Sequence, residues 1–317
     1  MVQVRKRLLR SDRFFFIVLQ KSSCYTEPEQ KSILPRCIWA RYPIPIFKSR
    51  RLVGLTSAQP TSPTPYGAVN TLVLMLLAGV QTILREKLVG CYLYGSLSLG
   101  DFDPQSSDVD FLIVTTEDLS GKVLEELRDM HASIASSRLP YADRLEGSYI
   151  PRAALRRYDP HNASHPTIGV DWEFHVGQHG GNWVIERHIV REHGVIVWGP
   201  SPSTLIDPVP PRELREAVCE MLRDFWQAQL AESEWLRSRD YQAFAVLTMC
   251  RALYTLSQGA VVSKPEAAAW ARQTLDPKWR PVIERALTWR HQHAKDDLTA
   301  TLDFIRFAIM RAQEVCE

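Results

Sequence analysis

Cys91-Tyr92-Leu93-Tyr94-Gly95-Ser96 is followed, after eleven further residues, by Asp108-Val109-Asp110-Phe111-Leu112. The first segment reads as a short strand ended by Gly95, and Val109 to Thr115 as a second strand with an apolar centre. Residues two apart in a strand share a face, so Asp108 and Asp110 project together while Val109 and Phe111 alternate with them. Two carboxylates side by side repel each other unless a cation lies between them, and an all-oxygen pair suits magnesium completed by phosphate oxygens and water. Gly95 permits close backbone approach after the strand, and Ser96 offers a hydroxyl and an amide to a phosphate. A glycine-serine turn or an Asp-x-Asp strand edge alone is common. Their joint occurrence between apolar strands points to a triphosphate held against a metal.

Outward from this pair, Val69, Leu72, Leu76, Val80 and Ile83 recur at helical spacing and predict a helix from Gly67 to Glu86. Leu119 to Ser137 reads as a helix and Arg144 to Ile150 as a strand; Asp171 to Val176 and Trp183 to Val190 are expected to be strands or strand edges. After Gly199-Pro200 and the prolines between Pro208 and Pro211, the pattern turns helical. One long stretch runs from Leu214 to Leu236 and another from Tyr241 to Gln258, stopped by Gly259. Pro265 to Leu275, Pro277 to His293 and Leu298 to Val315 complete a bundle of about five helices, with prolines placed to start them. The expected class is α+β, a mixed sheet with helices followed by an all-α domain. The expected divisions are a basic, poorly ordered extension over 1–60, an α/β domain over 61–205 and a helical domain over 206–317.

The extension carries prolines and a Ser/Thr/Pro-rich end and lacks periodicity, so disorder, or an origin upstream of the true translation start, is expected. Charge is divided unevenly along the chain. The first 66 residues hold twelve Lys/Arg against three acids, a net +9, which leaves −7 on the remaining 251 residues against the chain total of +2. An acidic body disfavours nucleic acid, whose binding needs cationic neutralisation of phosphates, and suits a cationic small molecule. The apolar run from Thr71 to Val80 is about ten residues, short of the roughly 20 that a membrane helix needs, so no span is expected. Phe14 to Leu19 is too short for a signal-peptide core and no cleavage site follows. Six scattered cysteines with no ligand spacing predict reduced thiols and a cytoplasmic setting. His161/His165 and His175/His179 are four apart, but Pro166, Gly177, Gly180 and Gly181 oppose the helix that a zinc pair would need.

The stretch from Tyr92 to Ser96 and from Ser107 to Leu112 resembles the signature of the polymerase-β-type nucleotidyltransferases, and specifically of the aminoglycoside adenylyltransferases that act on streptomycin and spectinomycin. Val246 to Tyr254, Val262 to Ala268 and Trp270-Ala271 resemble that family's C-terminal domain, so the likeness covers roughly residues 67–317. It implies ATP as co-substrate, magnesium (two ions), and AMP transfer to a cationic acceptor in an interdomain cleft, by a monomer that confers antibiotic resistance. Residue by residue, Asp108 and Asp110 match the metal pair, Glu146 the catalytic carboxylate, and Gly95, Ser96 and Ser107 the phosphate-binding turn. Arg251 and Lys264 match cations that reach ATP from the helical domain, and Trp172 an aromatic lining the acceptor pocket.

The residues alone agree on roles. A third carboxylate near the metal pair can take the acceptor's proton, with Glu173 the substitute for Glu146. Lys264 stands just before a proline that opens a helix, where amide and side chain can both face an anion. The chain departs from the family before Arg251, where Trp235-Leu236-Arg237-Ser238-Arg239-Asp240-Tyr241-Gln242 sets two arginines where a cationic drug prefers acids. The acceptor therefore stays open between these drugs and another metabolite. A macromolecular acceptor, protein or RNA, and a non-catalytic module are the readings from other classes.

Overall fold

A computed structural model describes residues 62–169, 173–290 and 297–316. The expectations for residues 1–60 and for Trp172 lie outside the described residues. The first helix, α1 (Gly67–Leu84), buries Val69, Leu72, Leu76 and Val80 of the predicted stripe together with Val73 and Leu84, while Ile83 is only half-buried. With the turn that follows, it is a 21-residue element, Gly67–Lys87, long and apolar enough to cross a membrane. The sequence reading ended the apolar run at Val80 and missed this length. Its buried stripe packs in the core beneath the sheet, as a core helix does.

Six strands form one mixed sheet: β1 (Leu88–Leu93), β2 (Val109–Thr115), β3 (Leu145–Pro151), β4 (Ser164–Ile168), β5 (Phe174–Gln178) and β6 (Val195–Trp198). Their spatial order is β5-β4-β3-β2-β1-β6, with β2 and β3 parallel and every other neighbouring pair antiparallel. The parallel step is bridged by α2 (Lys122–Ser136). Strand alternation divides the side chains of β2 between two cores. Val109, Phe111 and Ile113 pack with α1 and α2 on one face. Leu112 and Val114 face the other way, into a core continuous with the helical domain. The two domains thus share apolar interior across one face of the sheet, and the Asp108/Asp110 side of β2 is the side turned toward the helices.

One predicted strand is a helix. Trp183 to Val190 lies within α3 (Trp183–His193), whose buried Trp183, Arg187 and Val190 follow helical spacing. Its β-branched residues favour strand locally, but packing of this face across the sheet prevails. The expected long helix from Leu214 is α4 (Pro211–Met221), which passes into a π-helical turn at Leu222–Trp226. Then come α5 (Arg239–Gln258), α6 (Lys264–Thr274), α7 (Arg280–Leu287) and α8 (Leu298–Cys316). Pro277–Trp279 forms a separate 3-10 turn, so the helix expected from Pro277 starts at Arg280. Gly259 ends α5 in the left-handed region at φ 65°, as its position predicts.

The expectation of six reduced cysteines is corrected at two of them. Cys219 on α4 and Cys316 at the end of α8 form a disulfide between Cα atoms 6.6 Å apart, closing a separation of 97 residues. Such a distance in sequence hides the pairing, which only helix packing creates. Cys91 and Cys250 are buried thiols whose pKa values burial pushes up to about 12.

Candidate active site

Strand register assembles the carboxylates. In the parallel β2/β3 ladder, Asp110 stands opposite Glu146, with Val109 opposite Leu145. Asp110 and Glu146 therefore lie side by side on the face shared with Asp108, and all three are nearly excluded from solvent. The amide of Tyr94 donates to the carbonyl of Asp110 at 3.1 Å, which closes β1 onto β2 at the turn. Gly95 then takes φ 62°, and a Cβ there would collide with the Asp110 carboxylate. Only glycine lets the turn come this close to the acid. Ser96 follows, buried, and no hydrogen-bond partner for its hydroxyl is present among the described residues.

The loop between turn and strand is built from its own polar groups. Asp103 accepts from the amide of Gln105 at 2.8 Å and the hydroxyl of Ser106 at 3.1 Å, and its own amide donates to Ser107 Oγ at 2.9 Å. Ser107, expected at the phosphates, thus has its hydroxyl engaged in closing the loop that leads into Asp108. Arg144 donates to the carbonyls of Ser107 and Pro104, both at 3.1 Å. From the helical domain, Arg290 forms an ion pair with Asp103.

A cleft opens between the domains. Gly95, Ser96, Asp110, Gly147 and Arg251 line it, whereas Glu146, next to Gly147 and in register with Asp110, and Asp108, two residues before Asp110, do not themselves line it. Across the cleft, Asp101 holds the domains together, accepting the Lys264 amide at 3.3 Å. Burial raises the Asp101 pKa, and the nearby Arg251 guanidinium and the Lys264 amide offset part of that rise. Lys264 itself is not among the residues lining the cleft. It keeps partial exposure as a residue, but its ammonium end is enclosed, 5.0 Å from the centre of the Phe244 ring, and desolvation pushes its pKa down to about 7.

The histidines make a different arrangement from either sequence-adjacent pair. His165 and His179 meet as buried rings 5.1 Å apart, and His179 stacks on Trp183 at 4.0 Å and hydrogen bonds Ser148 at 3.2 Å. Burial lowers both pKa values. Among the described residues, no group of three or more His, Cys, Asp or Glu converges as a metal cage. Two buried carboxylates beside a glycine turn fit magnesium nevertheless, because that ion takes one or two carboxylates and completes its shell with phosphate and water. Asp108 and Asp110 are the residues that would hold it. Sequence reasoning missed Asp101 and Glu186 as cleft residues. Asp101 had a legible signal, its place just beyond the glycine-serine turn, whereas Glu186 lay in a segment read as strand.

Comparison with known proteins bears on both parts of the chain. Residues 77–152 match the nucleotidyltransferase domain, and residues 204–312 match the C-terminal domain of aminoglycoside adenylyltransferase. The aminoglycoside (3'') (9) adenylyltransferase of Klebsiella pneumoniae is 26% identical over 231 residues, spanning 69% of this chain and 84% of the relative. The spectinomycin 9-adenylyltransferase of Staphylococcus aureus is 25% identical over 218 residues, 65% of this chain and 78% of the relative. The crystal structure of a spectinomycin adenyltransferase from Enterococcus faecialis with ATP and spectinomycin shares the fold. Its TM-score is 0.60 at 17% identity, covering 77% of this chain and 98% of that one. With both domain types in the same order and the same fold, the chain is an adenylyltransferase and belongs to the aminoglycoside adenylyltransferase family of nucleotidyltransferases.

Proposed function

We propose that this enzyme transfers AMP from ATP, with magnesium, to a hydroxyl of a cationic aminoglycoside or aminocyclitol of the streptomycin or spectinomycin type, and so confers resistance. The observation that carries this reading is the pairing of Asp110 with Glu146 beside the Gly95-Ser96 turn at the wall of an interdomain cleft. The names of the relatives and the ATP and spectinomycin in the solved structure support the same choice of substrates.

Asp108 and Asp110 would hold magnesium, which would supply charge neutralisation for the transfer. Ser96 and the Gly95 turn hold the phosphate chain, and Arg251 balances its charge from the helical wall. Glu146 takes the proton of the acceptor hydroxyl as its oxygen attacks the α-phosphorus. The new phosphorus–oxygen bond replaces the one to pyrophosphate, which departs with the electron pair. Ser107 acts at one remove, by shaping the loop.

The acidic net charge of residues 67–317 supports a cationic small acceptor and speaks against nucleic acid. We read the protein as a monomer that works in the cytoplasm without a membrane partner, where ATP is available. The Cys219–Cys316 bond makes the thiol state of the isolated protein a direct check on that location. We take the chain to divide at 205/206 into a sheet domain and a helical domain, with the substrates bound between them. To test the reading, a panel of aminoglycosides and aminocyclitols is incubated with ATP and magnesium and read by mass spectrometry. A drug that gains one AMP with release of pyrophosphate is expected. No gain on any member, with AMP found instead on a protein or RNA, would favour the macromolecular alternative.

A further inference from the structure

A cationic acceptor needs a counter-charge, and among the described residues the helical wall of the cleft does not provide one. That wall presents Thr248, Arg251, Ala252 and Thr255 of α5, one cation and no carboxylate. The two arginines that precede Arg251 in sequence, Arg237 and Arg239, lie elsewhere. Arg237 pairs with Glu234 at 2.9 Å on the surface, and Arg239 lines a separate small depression with Gln242 and Trp289.

On the opposite wall, three carboxylates among the described residues line the cleft: Asp101, Asp110 and Glu186. Asp101 takes the Lys264 amide and sits in the field of Arg251. Asp110 belongs to the metal pair. Glu186 is the third, carried by α3 between Ile185 of the cleft wall and Arg187. The neighbouring arginine does not face the cleft, because Arg187 is buried and donates to the carbonyls of Leu155 and Ala154 at 2.9 and 2.8 Å. Ile168 at the end of β4 extends the same wall with an apolar surface, whereas the buried Thr167 hydroxyl is engaged with the Gly147 carbonyl and the Ser148 hydroxyl, both at 3.0 Å.

We propose that Glu186 is the ionic anchor for the acceptor, binding a protonated amine or guanidinium and presenting the drug's hydroxyl to Glu146. The acid missing from the helical wall is thereby supplied from the sheet side. This assignment rests on the aminoglycoside reading above. A carboxylate placed against the triphosphate would be repelled, so a position facing the acceptor suits its charge.

The test is steady-state kinetics on the full chain with streptomycin and with spectinomycin, at varied drug and varied ATP. Glu186→Gln is expected to raise the KM for the modified drug roughly tenfold, the loss of a charge-assisted hydrogen bond, with kcat and the KM for ATP within about twofold of wild type. Added salt should depress the wild-type kcat/KM for the drug more steeply than that of Glu186→Gln. Glu186→Asp, which keeps the charge, should recover part of the loss. An unchanged drug KM in a folded Glu186→Gln protein overturns the assignment. A raised KM for ATP alone overturns it too and moves Glu186 to the nucleotide, at the ribose hydroxyls. If wild type modifies neither drug, the functional reading falls and the anchor with it, an outcome separate from both.

Discussion

The two walls of the cleft are built on different principles. On the sheet side, Asp108, Asp110 and Glu146 are set by strand periodicity and by one parallel register, so their mutual placement is tied to backbone hydrogen bonds. On the helical side, Arg251 and Lys264 arrive on two different helices; packing brings Arg251 to the cleft, while Lys264 does not line it and is tied to the sheet domain by a hydrogen bond from its backbone amide to Asp101. A site whose acids are rigid and whose cations depend on domain packing should fail in different ways when each wall is disturbed.

The largest effect is expected from Asp110→Ala. Loss of a metal-binding carboxylate should lower AMP transfer by at least on the order of 10³-fold, measured by pyrophosphate release, while the melting temperature holds or rises because a buried charge is removed. Full activity in this variant would erase the contrast between the walls. Glu146→Gln should lower kcat by about 10²-fold or more yet leave ATP affinity by calorimetry unchanged. Lost ATP affinity would instead make Glu146 part of the nucleotide site.

Lys264→Met tests the helical wall and should weaken ATP binding about tenfold. Its pH behaviour sharpens the point. With the folded pKa pushed down to about 7, the unfolded chain binds the proton more tightly over the interval from about 7 to the ordinary lysine value. The penalty of charging Lys264 is therefore fully present below about pH 7, and stability rises with pH as it fades across that interval. The triphosphate should restore the proton, so ATP binding near pH 8 should take up protons in calorimetry across buffers, and Lys264→Met should abolish both signals. The smallest effect is expected from Arg290→Ala. An ion pair on the surface contributes no more than about 1 kcal/mol, so chemical denaturation should change little. A larger loss of kcat than of stability would show that the Asp103 loop needs the helical domain to aim Asp108.

Legibility in the sequence followed the range of the forces involved. The pattern from Tyr94 to Asp110 sufficed to place a turn, a strand and two acids on one face, because glycine's φ freedom and the two-residue period are local properties. It also pointed to Glu146, through a resemblance that the β2/β3 register then explained. Trp183 to Val190 was misread because β-branched residues favour strand in isolation, and with that error Glu186 was lost from view. Ser107 was placed at the phosphates by the same resemblance, and only the structure shows that its hydroxyl oxygen also accepts from the Asp103 amide and closes the loop.

The chain's order of residues thus determined by itself the two-domain layout, the acidic pair, the glycine turn and the start of most helices. The tertiary structure alone decided the side-by-side placement of Asp110 and Glu146, the contact between Asp101 and Lys264, the Cys219–Cys316 bond and the cleft position of Glu186. The first set depends on periodicity and backbone preference within a few residues. The second joins groups up to 163 positions apart, and only the burial of a common apolar core brings such groups into contact.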